Sequence, residues 1–154
     1  MANTNLFKSC NFRITLNTEK QIELMVQEVN LPGYSIGQLE NRWQSMVDKR
    51  PGDSMEFNDL TLTILVDEQL EIYKEIYKSL VYSHNPVTNT LQITKQIFDG
   101  YLFLLTNKNN LQHMIHFYDC WIKSLDDIQL SHSTSEDEQL VLTMTIAYNY
   151  YMFE

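Results

Sequence analysis

The sequence predicts a mainly β protein, an antiparallel β-barrel or sandwich with one flanking α-helix over about 68–82 and an extended arm over about 34–57. Three observations carry that prediction. Leu60, Leu62, Ile64 and Val66 alternate with Thr61, Thr63 and Leu65, and near the end Leu140, Leu142, Met144, Ile146, Tyr148 and Tyr150 alternate in the same way, the period of half-buried strands. Turn-forming groups separate such runs, among them Pro32-Gly33, Asn85-Pro86 and the polar stretch 106–110. One stretch alone, 68–82, has a helical period. At 154 residues, with only four Gly and three Pro to build linkers, the chain is expected to form one domain over 1–154.

Taken in order, Phe12, Ile14 and Leu16 alternate with Arg13 and Thr15 to give a first strand, and Ile22, Leu24 and Val26 a second, so a first hairpin is expected. Leu31-Pro32-Gly33-Tyr34 turns the chain. The arm follows, where Trp43, Met46 and Val47 are scattered among Arg42, Asp48, Lys49 and Arg50 without a period, and Arg50-Pro51-Gly52-Asp53 reads as its closing turn. The stretch 55–66 is then expected as a core strand. Asp67 suits a helix N-cap, and Leu70, Tyr73, Tyr77 and Leu80 share a face beside Ile72 and Ile76, with Glu71, Lys74, Glu75 and Lys78 around the rest. The polar stretch 83–96 reads as turns. After it, 100–105 and 114–122 are expected to pair antiparallel, and a hairpin from 128–131 through the acidic turn 135–138 leads into a long terminal strand.

Composition narrows the function. Eleven Lys+Arg against twenty Asp+Glu give a net charge of −9, a field that repels nucleic acid and anionic membranes. No apolar run approaches a membrane span, and the polar start Met1-Ala2-Asn3-Thr4-Asn5 does not read as a signal peptide, so no membrane partner is expected. Cys10 and Cys120 read as buried small hydrophobes rather than a disulfide framework. His113 and His116 would fall on opposite faces of a strand, and no short Cys/His spacing is present, so no metal or other cofactor is expected. There is no phosphate loop, nucleophile elbow or zinc-protease helix, and Asp126-Asp127 and 136–138 read as solvated acids at turns. The chain is not expected to be an enzyme. Tyr148, Tyr150, Tyr151 and Phe153 lack the neighbouring cations of a stacking platform for single strands, and so suit packing between strands or subunits.

Three stretches, in order and spacing, resemble the tail tube protein family of contractile-tailed bacteriophages. The first runs from Asn11-Phe12-Arg13-Ile14 to Val29-Asn30-Leu31-Pro32-Gly33. The second takes in Gly52-Asp53, Phe57 and 60–68, then the helix with Tyr73 and Tyr77. The third takes in Asp119-Cys120-Trp121, 124–131 and the terminal strand. Leu80-Val81-Tyr82 and Trp121 depart from the family, whose members often carry a Trp after the helix and a Pro in place of Trp121.

The resemblance implies a structural virion protein of the phage tail, assembled in the host cytoplasm: a tail tube subunit forming stacked hexameric rings, with sheath and baseplate proteins as further partners. It implies that the arm reaches an adjacent ring, which makes Trp43, Met46, Val47, Lys49, Arg50, Met55 and Phe57 candidates for an inter-ring interface. DNA would pass through the lumen without specific binding, since each neutralised phosphate would favour arrest. Glu23, Asp126, Asp127, Glu136, Asp137 and Glu138 are candidates for an acidic lining. Joining sheet edges around a ring would also satisfy backbone groups that an open edge leaves unpaired. A baseplate or tail-end ring of the same fold, acting as tube initiator or completion protein, is the alternative within the family. A small acidic ligand-binding module is the alternative outside it, and a pocket of convergent polar groups would favour that.

Overall fold

Burial follows the predicted alternation: Leu60, Leu62 and Ile64 are fully buried while Thr61 and Thr63 between them are not, and Leu142, Met144 and Ile146 repeat the pattern. The computed structural model describes residues 11–17, 26–92, 96–106, 108–132 and 139–154. Its strands are β1 (Phe12–Asn17), β2 (Val26–Asn30), β3 (Tyr34–Trp43), β4 (Met46–Phe57), β5 (Leu60–Leu65), β6 (His84–Asn85), β7 (Thr90–Leu91), β8 (Phe98–Leu105), β9 (Leu111–Leu125), β10 (Val141–Ala147) and β11 (Tyr150–Phe153). The helix α1 spans Glu71–Ser83.

Seven strands form one sheet in the order β1-β8-β9-β10-β5-β2, with β11 also paired to β9, and every pairing is antiparallel. Among the described residues the path ends on β1 and β2, so of the two expected forms the sheet is the sandwich and not a closed barrel. The fold line crosses β9. Up to Cys120 this strand pairs with β8 and β11, and from Trp121 onward with β10. Asp119 sits at the corner with φ 52, and Asn149, in the break between β10 and β11, donates to its carboxylate at 2.8 Å. The two layers share one core, in which Leu16, Leu62, Leu102, Phe117 and Ile146 meet Ile76 of the helix.

Several expectations are corrected. β1 pairs with β8 and β2 with β5, so they are not a hairpin; each took the partner that buries its apolar face. The residues between them, 18–25, lie outside the described set, as do Cys10 and the acidic turn at 133–138. The predicted strand 55–66 is two strands in different sheets, broken at Asn58 and Asp59, and the long terminal strand is likewise cut at the corner. No strand forms at 128–130. The helix starts at Glu71, after Leu70 in a left-handed conformation, but Asp67 still accepts the Glu71 N–H at 3.2 Å. Its inward stripe is Ile72, Ile76 and Leu80, with Tyr77 turned to solvent.

Candidate assembly surface

The expected arm is present as a paired element: β3 and β4 pair from Tyr34↔Phe57 to Trp43↔Met46, a two-stranded ribbon turning at Gln44 and Ser45. Arg50-Pro51-Gly52-Asp53 is not a turn. Pro51 sits opposite Gln38, where a two-stranded ribbon leaves alternate N–H groups to solvent and proline need cost no ladder bond. Between Ile36↔Met55 and Gln38↔Pro51, Gly37 alone faces three residues, Gly52 to Ser54. A Cβ on Gly52 would lie 2.8 Å from the Gly37 carbonyl, so the kink needs glycine there.

Cross-strand partners share a face, and faces alternate along the ribbon. Leu39, Trp43 and Met46 therefore lie on one face together with Arg50 and Asp48, whose side chains pair at 2.9 Å. Val47, Lys49, Ile36 and Met55 lie on the other. No side chain beyond the root is buried: Trp43 is 79% exposed and Met46 76%. A ribbon with apolar side chains on both faces and no core of its own has the composition of a contact surface.

The root, by contrast, is fixed. Phe57 packs on Tyr34 at 6.3 Å, on Tyr148 at 6.1 Å and on Tyr151 at 5.3 Å, and Tyr148 in turn meets Phe117 of the core at 5.0 Å. The Tyr148 hydroxyl donates to the Asn58 carbonyl at 2.7 Å, that of Tyr151 to the Pro32 carbonyl at 3.3 Å, and the Asn58 N–H to the Gly33 carbonyl at 3.0 Å. Desolvation, then the neighbouring Tyr151 and Asp59, raise the Tyr148 phenol above its ordinary pKa. Of the expected interface residues, Phe57 thus serves the root while Trp43, Met46, Val47, Lys49, Arg50 and Met55 stand exposed along the ribbon.

A second surface escaped the sequence reading. On the outer side of β8, β9 and β11, Tyr101 stacks on His116 at 4.3 Å, His116 meets Tyr118 at 3.8 Å with the rings tilted by 31°, and Tyr118 stacks on Tyr150 at 4.6 Å. Their sequence neighbours Leu102, Ile115, Phe117 and Tyr151 point inward. Asp99 and Glu154 stand at 3.5 Å from opposite nitrogens of His116, and Nε2 has no hydrogen-bond partner. The Tyr118 phenol is raised first by desolvation, then by Glu154, Tyr150, Tyr101 and Asp99, which places those groups around it. Once strands are assigned, aromatic residues at outward positions would have been the signal for this patch.

Asp126 and Asp127 are exposed on the irregular segment after β9, where the Asp126 N–H donates to Thr143. Glu23, Glu136, Asp137 and Glu138 lie outside the described residues. Among the described residues no group of three His, Cys, Asp or Glu side chains could hold a metal, and no helix is long and apolar enough to cross a membrane.

Several solved structures share this fold. One from the baseplate of an anti-feeding prophage, solved with 6-fold symmetry, superposes with TM-score 0.76 at 9% identity over 99% of this chain and 97% of that one. One from the tube-terminating cap of the anti-feeding prophage gives 0.72 at 15% identity, covering 100% and 94%. One from the sheath/tube terminator of an extracellular contractile injection system gives 0.70 at 16% identity, covering 99% of each. In sequence, the chain is 28% identical to the tail tube terminator protein of Enterobacteria phage T4, over 97% of this chain and 90% of that protein. No protein-family model matches. The chain thus shares its fold with these tube-end and baseplate components and is similar in sequence to a tail tube terminator protein.

Proposed function

We propose that this protein forms the ring that ends the tube of a contractile tail. The sequence reading put the repeating tube subunit first and a tail-end ring second; the observation that favours the second is the similarity to a tail tube terminator along nearly the whole chain. The likeness to a tube-terminating cap and to a sheath/tube terminator supports the same choice. On this reading six copies close into a ring on the last layer of tube subunits, assembled in the host cytoplasm and carried in the virion tail, beside the end of the sheath. The ribbon carries the contacts to a neighbouring subunit through Trp43, Met46, Val47, Lys49, Arg50 and Met55. The acidic surface, to which Asp126 and Asp127 contribute, lets DNA pass without the counterion release that would hold it.

Electron microscopy of the purified protein tests this reading. Discrete rings that do not lengthen with concentration are expected, and rings added to preformed tubes should stop their growth. Long smooth tubes of this chain alone would restore the tube subunit, and monomers under all conditions would exclude both.

A further inference from the structure

We propose that the side of the β2-β5-β10-β9 layer turned away from the core is the wall past which DNA slides, a hydroxyl-lined surface facing the channel of the ring. The inference rests on the terminal-ring reading and names the surface that the passing duplex meets.

Strand register builds this face. Thr63 lies opposite Thr143 and Thr61 opposite Thr145 on the central pair, while Leu62, Ile64, Met144 and Ile146 between them point into the core. The four threonines are half-buried, as residues on the open side of a sheet are. The rows continue to both sides: Asn30 faces Thr61 and Glu28 faces Thr63 from β2, Ser124 faces Thr145 from β9, and the Asp126 N–H donates to the Thr143 carbonyl at 2.9 Å. Two rows of polar side chains thus cross the layer, with Glu28 and Asp126 at the two ends of one row. They stop where Trp121 lies opposite Ala147 and Leu65 opposite Val141. Threonine suits such a wall, since its branched Cβ favours the strand and its hydroxyl binds water without carrying a charge.

Charge selects this face over the others. A channel for DNA must not neutralise phosphates, because each ion pair adds counterion release that favours arrest. Among the described residues the aromatic face, the ribbon and the helix each carry exposed cations: Arg13, opposite Phe103, on the first, Arg42 and Lys49 on the second, Lys74 and Lys78 on the third. β2, β5, β9 and β10 hold one Lys or Arg between them, Lys123. It sits at the margin, where the register of β9 shifts beside Thr145, and Asp59 accepts from its ammonium at 2.6 Å. The wall is therefore uncharged over its middle, and Asp126 belongs to its edge.

The experiment places one substitution on two opposite outer faces. Preformed rings of the full chain carrying Thr63→Lys or Thr145→Lys are compared with rings carrying Thr15→Lys, which lies opposite Tyr101 on the aromatic face. Each is titrated with a short linear duplex and with a covalently closed circular one. The proposal expects wild-type rings to bind neither. Rings with Thr63→Lys or Thr145→Lys should bind the linear duplex, one per ring, at least tenfold tighter than Thr15→Lys rings do. They should also prefer it at least tenfold to the circle, which cannot thread a closed ring. With about six new cations facing one duplex, that binding should weaken by about 10³-fold between about 50 and 200 mM salt. Equal binding with lysine on either face, or equal binding of circle and linear duplex, overturns the proposal and leaves the terminal-ring reading standing. Where lysine blocks assembly, Thr63→Cys serves in its place: in formed rings its thiol should react with a small maleimide above the wild-type background, and at least tenfold more slowly with a maleimide carried on a large dextran. A thiol that takes both reagents equally, or neither, overturns the proposal as well. Failure of the wild-type chain to form rings removes the terminal-ring reading and this inference together.

Discussion

The β5–β10 pair and the β3–β4 ribbon are made of the same secondary structure in opposite surroundings. Leu60, Leu62, Ile64, Leu142, Met144 and Ile146 are all buried along the first, whereas no residue of the second is buried. An isolated hairpin is marginal in water. The core pair is therefore stabilised by the chain itself, while the ribbon leaves Trp43, Met46 and Leu39 in solvent, and under the proposed function another subunit completes it. A substitution should act on stability in the first region and on assembly in the second.

The largest effect is expected in the core. Phe117→Ala, at a fully buried ring that touches both Tyr148 and Tyr151, should lower stability by about 3–5 kcal/mol in urea titrations of the monomer. Gly52→Ala comes next: the added methyl meets Gly37 backbone that must shift, so a loss of about 1–3 kcal/mol confined to the ribbon is expected, read as faster proteolysis of β3–β4 at an unchanged core transition. Tyr148→Phe removes the bond to the Asn58 carbonyl and should cost about 1 kcal/mol while loosening the root.

Alkaline pH probes the same core. Burial pushes the Cys120 thiol from 9.0 up to about 12, and the Tyr148 phenol is also raised. Because both folded-state pKa values lie above the unfolded ones, their contribution is complete below about pH 9 and is lost as the pH rises toward 12. The urea midpoint should therefore be lower at pH 10.5 than at pH 8, and Cys120 should resist alkylation at pH 8 until the chain unfolds. The smallest effect on stability belongs to Trp43→Ala, within about 0.5 kcal/mol of wild type by thermal melting, although assembly should be lost.

The contrast also explains what the sequence revealed. Leu60, Leu62 and Ile64 declare a strand because one face meets the core and the other meets water, and the helix declares itself through Ile72, Ile76 and Leu80 for the same reason. In the ribbon both faces meet water, so Leu39 and Met46 follow no period and Pro51-Gly52 imitates a turn. Pairing choices are equally hidden: Phe12↔Leu104 spans most of the chain, and no local pattern favours it over the nearer Val26. Trp43, Met46 and their neighbours stand out in the sequence as partner candidates because large apolar side chains lie among charges, and the structure leaves them exposed. The patch of Tyr101, His116, Tyr118 and Tyr150 does not stand out, because it exists only once three strands lie side by side.

Hydrogen exchange of the amides in β3–β4 and in β5–β10, followed in dissociated and in assembled protein, tests the division most directly. The account predicts that β5–β10 is protected in both states, while β3–β4 exchanges quickly in the free subunit and slows by tenfold or more on assembly, most of all around Trp43 and Met46. Equal protection of the ribbon before and after assembly would contradict it.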